Sequence, residues 1–81
     1  MKMLRAHVRG DVVKKVWRRD NLRCVLIVRD GERFTFLEDA ASDGVTYDAW
    51  PTLAEGGWYS SAALAERDAR KMISWMEKDS K

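Results

Sequence analysis

Three two-residue turn signals lie ten residues apart in this chain, at Gly10-Asp11, Asp20-Asn21 and Asp30-Gly31. Asp-Gly is the strongest short signal for a β-hairpin, because both central residues of a type I′ turn need a positive φ. The segments between the turns are rich in valine, isoleucine, leucine, phenylalanine and tryptophan. The pattern therefore predicts an antiparallel meander with strands over residues 3–9, 12–19, 22–29 and 32–38.

Each predicted turn also sets a strand register. If Asp30 and Gly31 form the turn, the cross-strand pairs are Arg29–Glu32, Ile27–Phe34, Val25–Phe36 and Arg23–Glu38. Opposite charges and aromatic–β-branched pairs each contribute ~0.2–1 kcal/mol, so this register supports itself. Counting outward from Asp20-Asn21 in the same way places Cys24 opposite Trp17.

The predicted sheet has two faces with apolar centres. The first face, which we expect to be the core, collects Leu4, Ala6, Val8, Val13, Trp17, Cys24, Leu26, Val28 and Leu37. The second face, which includes Val12, has Phe34 and Phe36 at its centre inside a ring of cations, Arg5, Arg9, Lys14, Arg18, Arg23 and Arg29. Aromatic residues and arginine mark protein interfaces and nucleic-acid surfaces alike, so these two phenylalanines and six cations form the candidate binding face.

A C-terminal helix over residues 60–77 is predicted to cover the first face. Ser60 is a suitable N-cap, because its hydroxyl can accept a hydrogen bond from a first-turn N–H. The apolar stripe of this helix consists of Ala62, Ala65, Ala69, Met72, Ile73 and Met76. The polar tail from Lys78 onward is expected to fray. The predicted architecture is therefore α+β, a four-strand antiparallel meander packed on one helix.

Residues 39–59 are predicted to be a loop. Within it, residues 45–50 are expected to be ordered, either as a short fifth strand that Pro51 ends or as a cover over the second face.

Length and composition limit the kind of protein. A chain of 81 residues is too short for a second core, so we expect one domain over residues 1–81. No apolar run is long enough to span a bilayer and no secretory signal is apparent, so a membrane location is not expected. A single cysteine, Cys24, cannot form an intramolecular disulfide and fits a reducing, cytoplasmic setting.

The charge is distributed unevenly. The first thirty residues carry nine Lys or Arg and three Asp, whereas residues 31–60 carry one Arg and six acidic residues. This asymmetry favours a surface in the first half that binds a polyanion. The alternative is that the two halves neutralise each other within the fold.

Candidate catalytic residues are few, and each has a simpler explanation. His7, the only histidine, has two arginines as its near neighbours in the sequence, where a general base would need a carboxylate. Cys24 lies at a predicted core position and is expected to be inert. The acidic residues Glu38, Asp39, Asp43 and Asp48 do not have the spacing of a calcium loop. We therefore expect no enzyme activity, no metal, no cofactor and no small-molecule substrate.

The sequence leaves three explanations for the candidate binding face. The 39–57 segment could cover it internally, a protein partner or a second copy could bind it, or a nucleic acid could stack on Phe34 and Phe36 while the cations contact phosphates. A non-enzymatic module for protein contact, with a homodimer as one form, is the leading hypothesis for the function. Nucleic-acid binding is the second.

Overall fold

The computed structural model describes residues 10–41 and 50–81. Its antiparallel sheet has the strand order β1-β2-β3-β4, and two helices follow it. The elements are β1 Asp11–Trp17, β2 Arg23–Asp30, β3 Arg33–Ala40, β4 Thr52–Glu55, α1 Ala62–Met72 and α2 Trp75–Lys78. The predicted architecture, a four-strand antiparallel sheet packed on a C-terminal helix, is confirmed.

The fourth strand of the sheet is not one that the sequence predicts. Strands β1 to β3 correspond to the predicted strands 12–19, 22–29 and 32–38. The predicted strand 3–9 lies outside the described residues, as does the predicted segment 45–50 except for Trp50. Strand β4 begins just after Pro51, which was expected to end a strand. Pro51 suits this position because it needs no backbone N–H there, and its carbonyl accepts a hydrogen bond from Ala40 N at 2.9 Å.

The first predicted turn, Gly10-Asp11, is a place where the backbones of Gly10 and Arg29 come close together. Asp11 is the first residue of β1 and pairs with Arg29, so it does not occupy the predicted turn. A Cβ atom on Gly10 would overlap the backbone carbonyl of Arg29. The glycine is therefore required by the contact between two backbones.

The two described hairpins differ in how well the sequence predicts their register. Trp17 pairs with Cys24 as predicted. In the second hairpin Asp30 pairs with Arg33, so the turn is Gly31-Glu32 and the register differs by two residues from the prediction. The observed pairs are Arg29–Phe34, Ile27–Phe36, Val25–Glu38 and Arg23–Ala40.

The shift has a conformational reason. A type I′ turn at Asp30-Gly31 would force Asp30 to a positive φ. In the observed turn only Gly31 has a positive φ, at 67°, and glycine adopts it without steric cost. Because the shift is two residues, each side chain stays on its predicted face of the sheet.

The helix covers the opposite face from the one predicted. Helix α1 packs on the second face, in a core cluster made of Val16, Val25, Ile27, Phe36, Ala65, Ala69, Ile73 and Met76. The approach to the helix explains this choice. Tyr59 pairs with Phe34, and its ring stacks on Phe36 with centroids 6.2 Å apart, so the chain enters α1 on this face.

The first face is buried as well. Its cluster consists of Cys24, Leu26, Val28, Leu37 and Trp50, with Val12, Trp17 and Ala41 packed against it. A β-bulge between Val12 and Lys14 exchanges the predicted positions of two valines. Val12 joins the first-face cluster, and Val13, predicted to be core, is exposed.

The C-terminal region departs from the predicted single helix. Ser61, one residue after the predicted cap, accepts a hydrogen bond from Leu64 N at 3.1 Å. Helix α1 ends at Met72, which leaves that side chain 64% exposed although the stripe predicted it to be buried. The tail is not frayed, because Lys81 N donates to Trp17 O at 3.0 Å. Neither helix in the described part of the chain is long and apolar enough to cross a membrane.

Candidate functional site

The aromatic centre of the predicted binding face lies in the core. Phe36 is 0% exposed beneath α1, and Phe34 is partly buried against the same cluster. Phe36 is therefore fully covered by the protein's own helix, and Phe34 is covered in part. The face is covered internally, but by α1 and Tyr59, which differs from the predicted cover by residues 39–57.

The cations of the predicted ring are not brought together around these rings. Arg5 and Arg9 lie outside the described residues. The other four each have a local partner: Lys14 contacts Glu66, Arg18 contacts Asp20, Arg23 donates to Leu22 O, and Arg29 donates to Gly31 O. The face predicted from sequence is thus divided between a core and separate local contacts.

Lys14 and Glu66 form the contact that joins β1 to the helix. Lys14 Nζ lies 2.8 Å from Glu66 Oε1, and Arg70 Nη2 lies 2.8 Å from Glu66 Oε2. The hydrogen bond from Lys14, supported by Arg70, lowers the pKa of the Glu66 carboxyl although partial burial opposes the shift. This arrangement stabilises the ionised form of Glu66 and has the character of a structural contact.

The described residues offer neither a reactive thiol nor a cluster of metal ligands. Cys24 is fully buried, and burial with the nearby Asp39 carboxylate raises the pKa of its thiol to about 11. A thiol with that pKa is protonated at neutral pH and is a poor nucleophile. Residues 10–41 and 50–81 contain no group of three or more His, Cys, Asp or Glu side chains that could hold a metal ion. His7 lies outside these ranges.

One aromatic side chain in the described region remains on the surface. The exposed large apolar residues there are Val13, Leu22, Leu53, Trp58 and Met72. Trp58 is the largest of them and is 44% exposed. The guanidinium carbon of Arg33 lies 3.8 Å from the centroid of its ring, a cation–π contact.

The backbone around Trp58 is held firmly. Phe34 N donates to Tyr59 O at 2.9 Å and Tyr59 N donates to Phe34 O at 2.8 Å. On the other side of the tryptophan, Gly56 N donates to Phe36 O at 2.9 Å, and a Cβ atom on Gly56 would overlap the Phe36 ring. Because both flanks are fixed to β3, the Trp58 backbone has a defined position at the surface, and its ring lies against Arg33.

We call the exposed residues Glu32, Arg33, Gly57 and Trp58 the Trp58 patch. Sequence reasoning missed it because Trp58 lies between a Gly-Gly pair and a helix cap, where no strand or helix period assigns a face. The available signal was a large aromatic residue in a short segment that was assigned to neither face of the predicted sheet. Chemically, the patch combines an apolar ring with the cation that lies against it, and Glu32 adds a carboxylate next to Arg33 in the chain.

Comparison with known proteins finds no family model that matches the chain, and no curated protein or solved structure with significant similarity to it. The surface itself therefore carries the functional argument.

Proposed function

We propose that this protein is a non-enzymatic binding module that pairs with a second copy of itself through the Trp58 patch. The observation that carries the proposal is the contact of the half-exposed Trp58 ring with the Arg33 guanidinium, at 3.8 Å. Tryptophan and arginine are among the residues most enriched at the energetic centres of protein interfaces. The proposal keeps the predicted class of function and moves it to a different surface.

Trp58 is suited to binding because the backbone that carries it is already ordered. Association costs free energy when the backbone and side chains become ordered, and the backbone hydrogen bonds to β3 on both sides of Trp58 remove the backbone part of that cost. The Arg33 guanidinium already lies against the ring, and the partner would bury both groups together. The expected gain from the partner is therefore mostly burial of apolar area.

A second copy fits the charge of the patch. Glu32 and Arg33 are adjacent, exposed and of opposite sign. In a two-fold interface each residue of one copy can face a different residue of the other, so Arg33 can face Glu32 of the second copy in both directions. A patch with one charge of each sign around an apolar ring is thus complementary to itself. Its small size supports weak, micromolar association.

The non-enzymatic part of the proposal is supported by the state of Cys24. The thiol is fully buried and its pKa is raised to about 11, so it is unsuited to nucleophilic catalysis at neutral pH. The same free thiol supports a reducing compartment, and we propose the cytoplasm.

Sedimentation equilibrium at micromolar to near-millimolar protein tests the proposal. We expect a concentration-dependent monomer–dimer equilibrium that Trp58→Ala abolishes. Met72→Ala is the matched control, because it removes another exposed apolar side chain from a different surface, and it should leave the equilibrium unchanged. A wild-type protein that stays monomeric, or a dimer that survives Trp58→Ala, would contradict the proposal.

A further inference from the structure

The β1–β2 loop, residues 18–22, is extensively hydrogen-bonded, and Arg23 begins β2. Asn21 N donates to Arg18 O at 2.9 Å, and Arg18 N donates to Arg23 O at 3.0 Å. The Asp20 carboxylate accepts a hydrogen bond from Leu22 N at 2.9 Å, and it forms an ion pair with the Arg18 guanidinium at 2.8 Å. Asn21 adopts the left-handed conformation at φ 65°, which its short polar side chain tolerates. The loop therefore has one well-defined conformation.

Leu22 projects from this loop. Its side chain is 54% exposed, while its carbonyl oxygen is anchored by Ala41 N at 3.2 Å. An exposed leucine on a fixed backbone can contact an apolar part of a ligand without first being ordered.

The surroundings of Leu22 are strongly basic. Arg19 N donates to Asp79 O at 2.7 Å, which brings residues 78–81 beside the loop. Together, residues 18–23 and 78–81 hold five Lys or Arg and two Asp, a net charge of +3. The charge of Arg18 is matched by Asp20. The Arg19 side chain is 70% exposed with its nearest carboxylate, Asp79, 4.0 Å away, and Lys78 is exposed.

We propose that Arg19, Leu22, Arg23 and Lys78, which we call the basic loop, bind the phosphate backbone of a nucleic-acid duplex. Guanidinium and ammonium groups neutralise phosphates, and they supply most of the affinity of sequence-independent binding. Leu22 would lie against sugars or the groove wall between the phosphate contacts.

The fixed conformation of the loop favours a duplex over a membrane. Phosphates of a duplex recur at regular spacing, and a fixed backbone limits the range of positions that its cations can reach, which favours such a spaced array. Lipid headgroups diffuse laterally and need no such spacing, and one leucine provides little apolar area for insertion.

This surface is separate from the Trp58 patch. The basic loop lies at the start of β2, where Leu22 precedes Arg23, and the patch lies beside the turn at the other end of this eight-residue strand. At about 3.3 Å per residue the two surfaces are about 25 Å apart. Nucleic-acid binding and self-association can therefore fail independently.

Fluorescence anisotropy of a labelled mixed-sequence DNA duplex tests the inference. With three phosphate contacts, the binding constant should fall about 40-fold between about 50 and 200 mM salt, a logarithmic slope of about −2.7. The double variant Arg19→Ala with Lys78→Ala should reduce the slope to about −0.9. The charge-matched control is Arg67→Ala with Lys71→Ala on the exposed face of α1, which should keep the wild-type slope.

Leu22 has its own control. Leu22→Ser should weaken duplex binding about threefold to tenfold without changing the salt slope, because it removes an apolar contact and no charge. Leu53→Ser, at a leucine of similar exposure, should have no effect. The inference is overturned if no duplex binds at low salt, or if the control pair weakens binding as much as the test pair. Binding to phosphatidylserine vesicles but not to the duplex would overturn it as well, and would assign the loop to a membrane.

Discussion

Lys14 on β1 and Glu66 on α1 are 52 positions apart in the chain, and their charged groups meet at 2.8 Å. Glu66 also accepts a hydrogen bond from Arg70 Nη2, and Arg70 Nη1 donates to Met76 O at 2.9 Å. One carboxylate therefore connects β1, the long helix and the short helix after it. The sequence suggested a phosphate contact for Lys14, and in the structure its ammonium group is paired with Glu66.

Glu66→Gln is expected to lower the free energy of unfolding by about 1 kcal/mol at pH 7, because Lys14 is half-exposed and the pair is partly screened. The pKa of Glu66 is lowered in the folded state. Its contribution is therefore complete above the unfolded value of 4.5 and is lost as the pH falls through the folded pKa. Urea unfolding at pH 7 and pH 3 checks this.

The control for this measurement is Glu77→Gln, which alters an exposed glutamate of α2. Its effect should stay within about 0.5 kcal/mol at both pH values. An equal cost of Glu66→Gln at pH 7 and pH 3 would show that the ion pair does not contribute.

Gly56 and Gly57 offer a matched pair of substitutions. Gly56→Ala places a Cβ on the buried Phe36 ring and should destabilise the protein by about 1–3 kcal/mol. Gly57→Ala meets no atom within 4 Å and should be neutral or stabilising by up to about 1 kcal/mol. Thermal unfolding of the two variants separates them. Similar melting temperatures would mean that Gly56 does not pack on Phe36.

Phe36→Ala tests which sheet face the helix covers. Because Phe36 is fully buried under α1, the substitution should cost about 3–5 kcal/mol, enough to threaten folding of so small a domain. Met72→Ala, at the exposed end of the predicted helix stripe, should cost less than about 0.5 kcal/mol. Circular dichroism during urea titration gives both values. A loss of unfolding free energy below about 1 kcal/mol for Phe36→Ala would indicate that the ring lies at the surface.

Asn21 tests the conformation of the β1–β2 loop. At φ 65° a β-branched residue is strained, so Asn21→Val should destabilise by about 1–2 kcal/mol while Asn21→Gly is close to neutral. Chemical denaturation measures the difference. If the two variants were equally stable, the loop would have to adopt another conformation, and the basic loop would lose its fixed geometry.

The fold was predictable where the turn residues constrain the backbone. Asp20-Asn21 led to the correct pairing of Trp17 with Cys24. At Asp30-Gly31 the same reasoning located the hairpin but not its register, because a shift of two residues leaves both faces unchanged and only the φ of Asp30 distinguishes the alternatives.

The faces and the site were harder to predict. Both faces are apolar at their centres and both are buried, so hydrophobicity could not tell which one receives the helix. That choice depends on Tyr59, whose pairing with Phe34 is a contact between residues far apart in the chain. The exposure of Trp58 was not predictable from the sequence for a related reason. Its position depends on hydrogen bonds that join the residues on each side of it to β3.

The burial of Cys24 has a practical consequence. A thiol with no exposed surface and a pKa of about 11 can react with an alkylating reagent only when the sheet around it opens. Its alkylation rate in the native protein therefore measures how often the sheet opens. Because the chain has no other cysteine, this readout needs no added label and no engineered site.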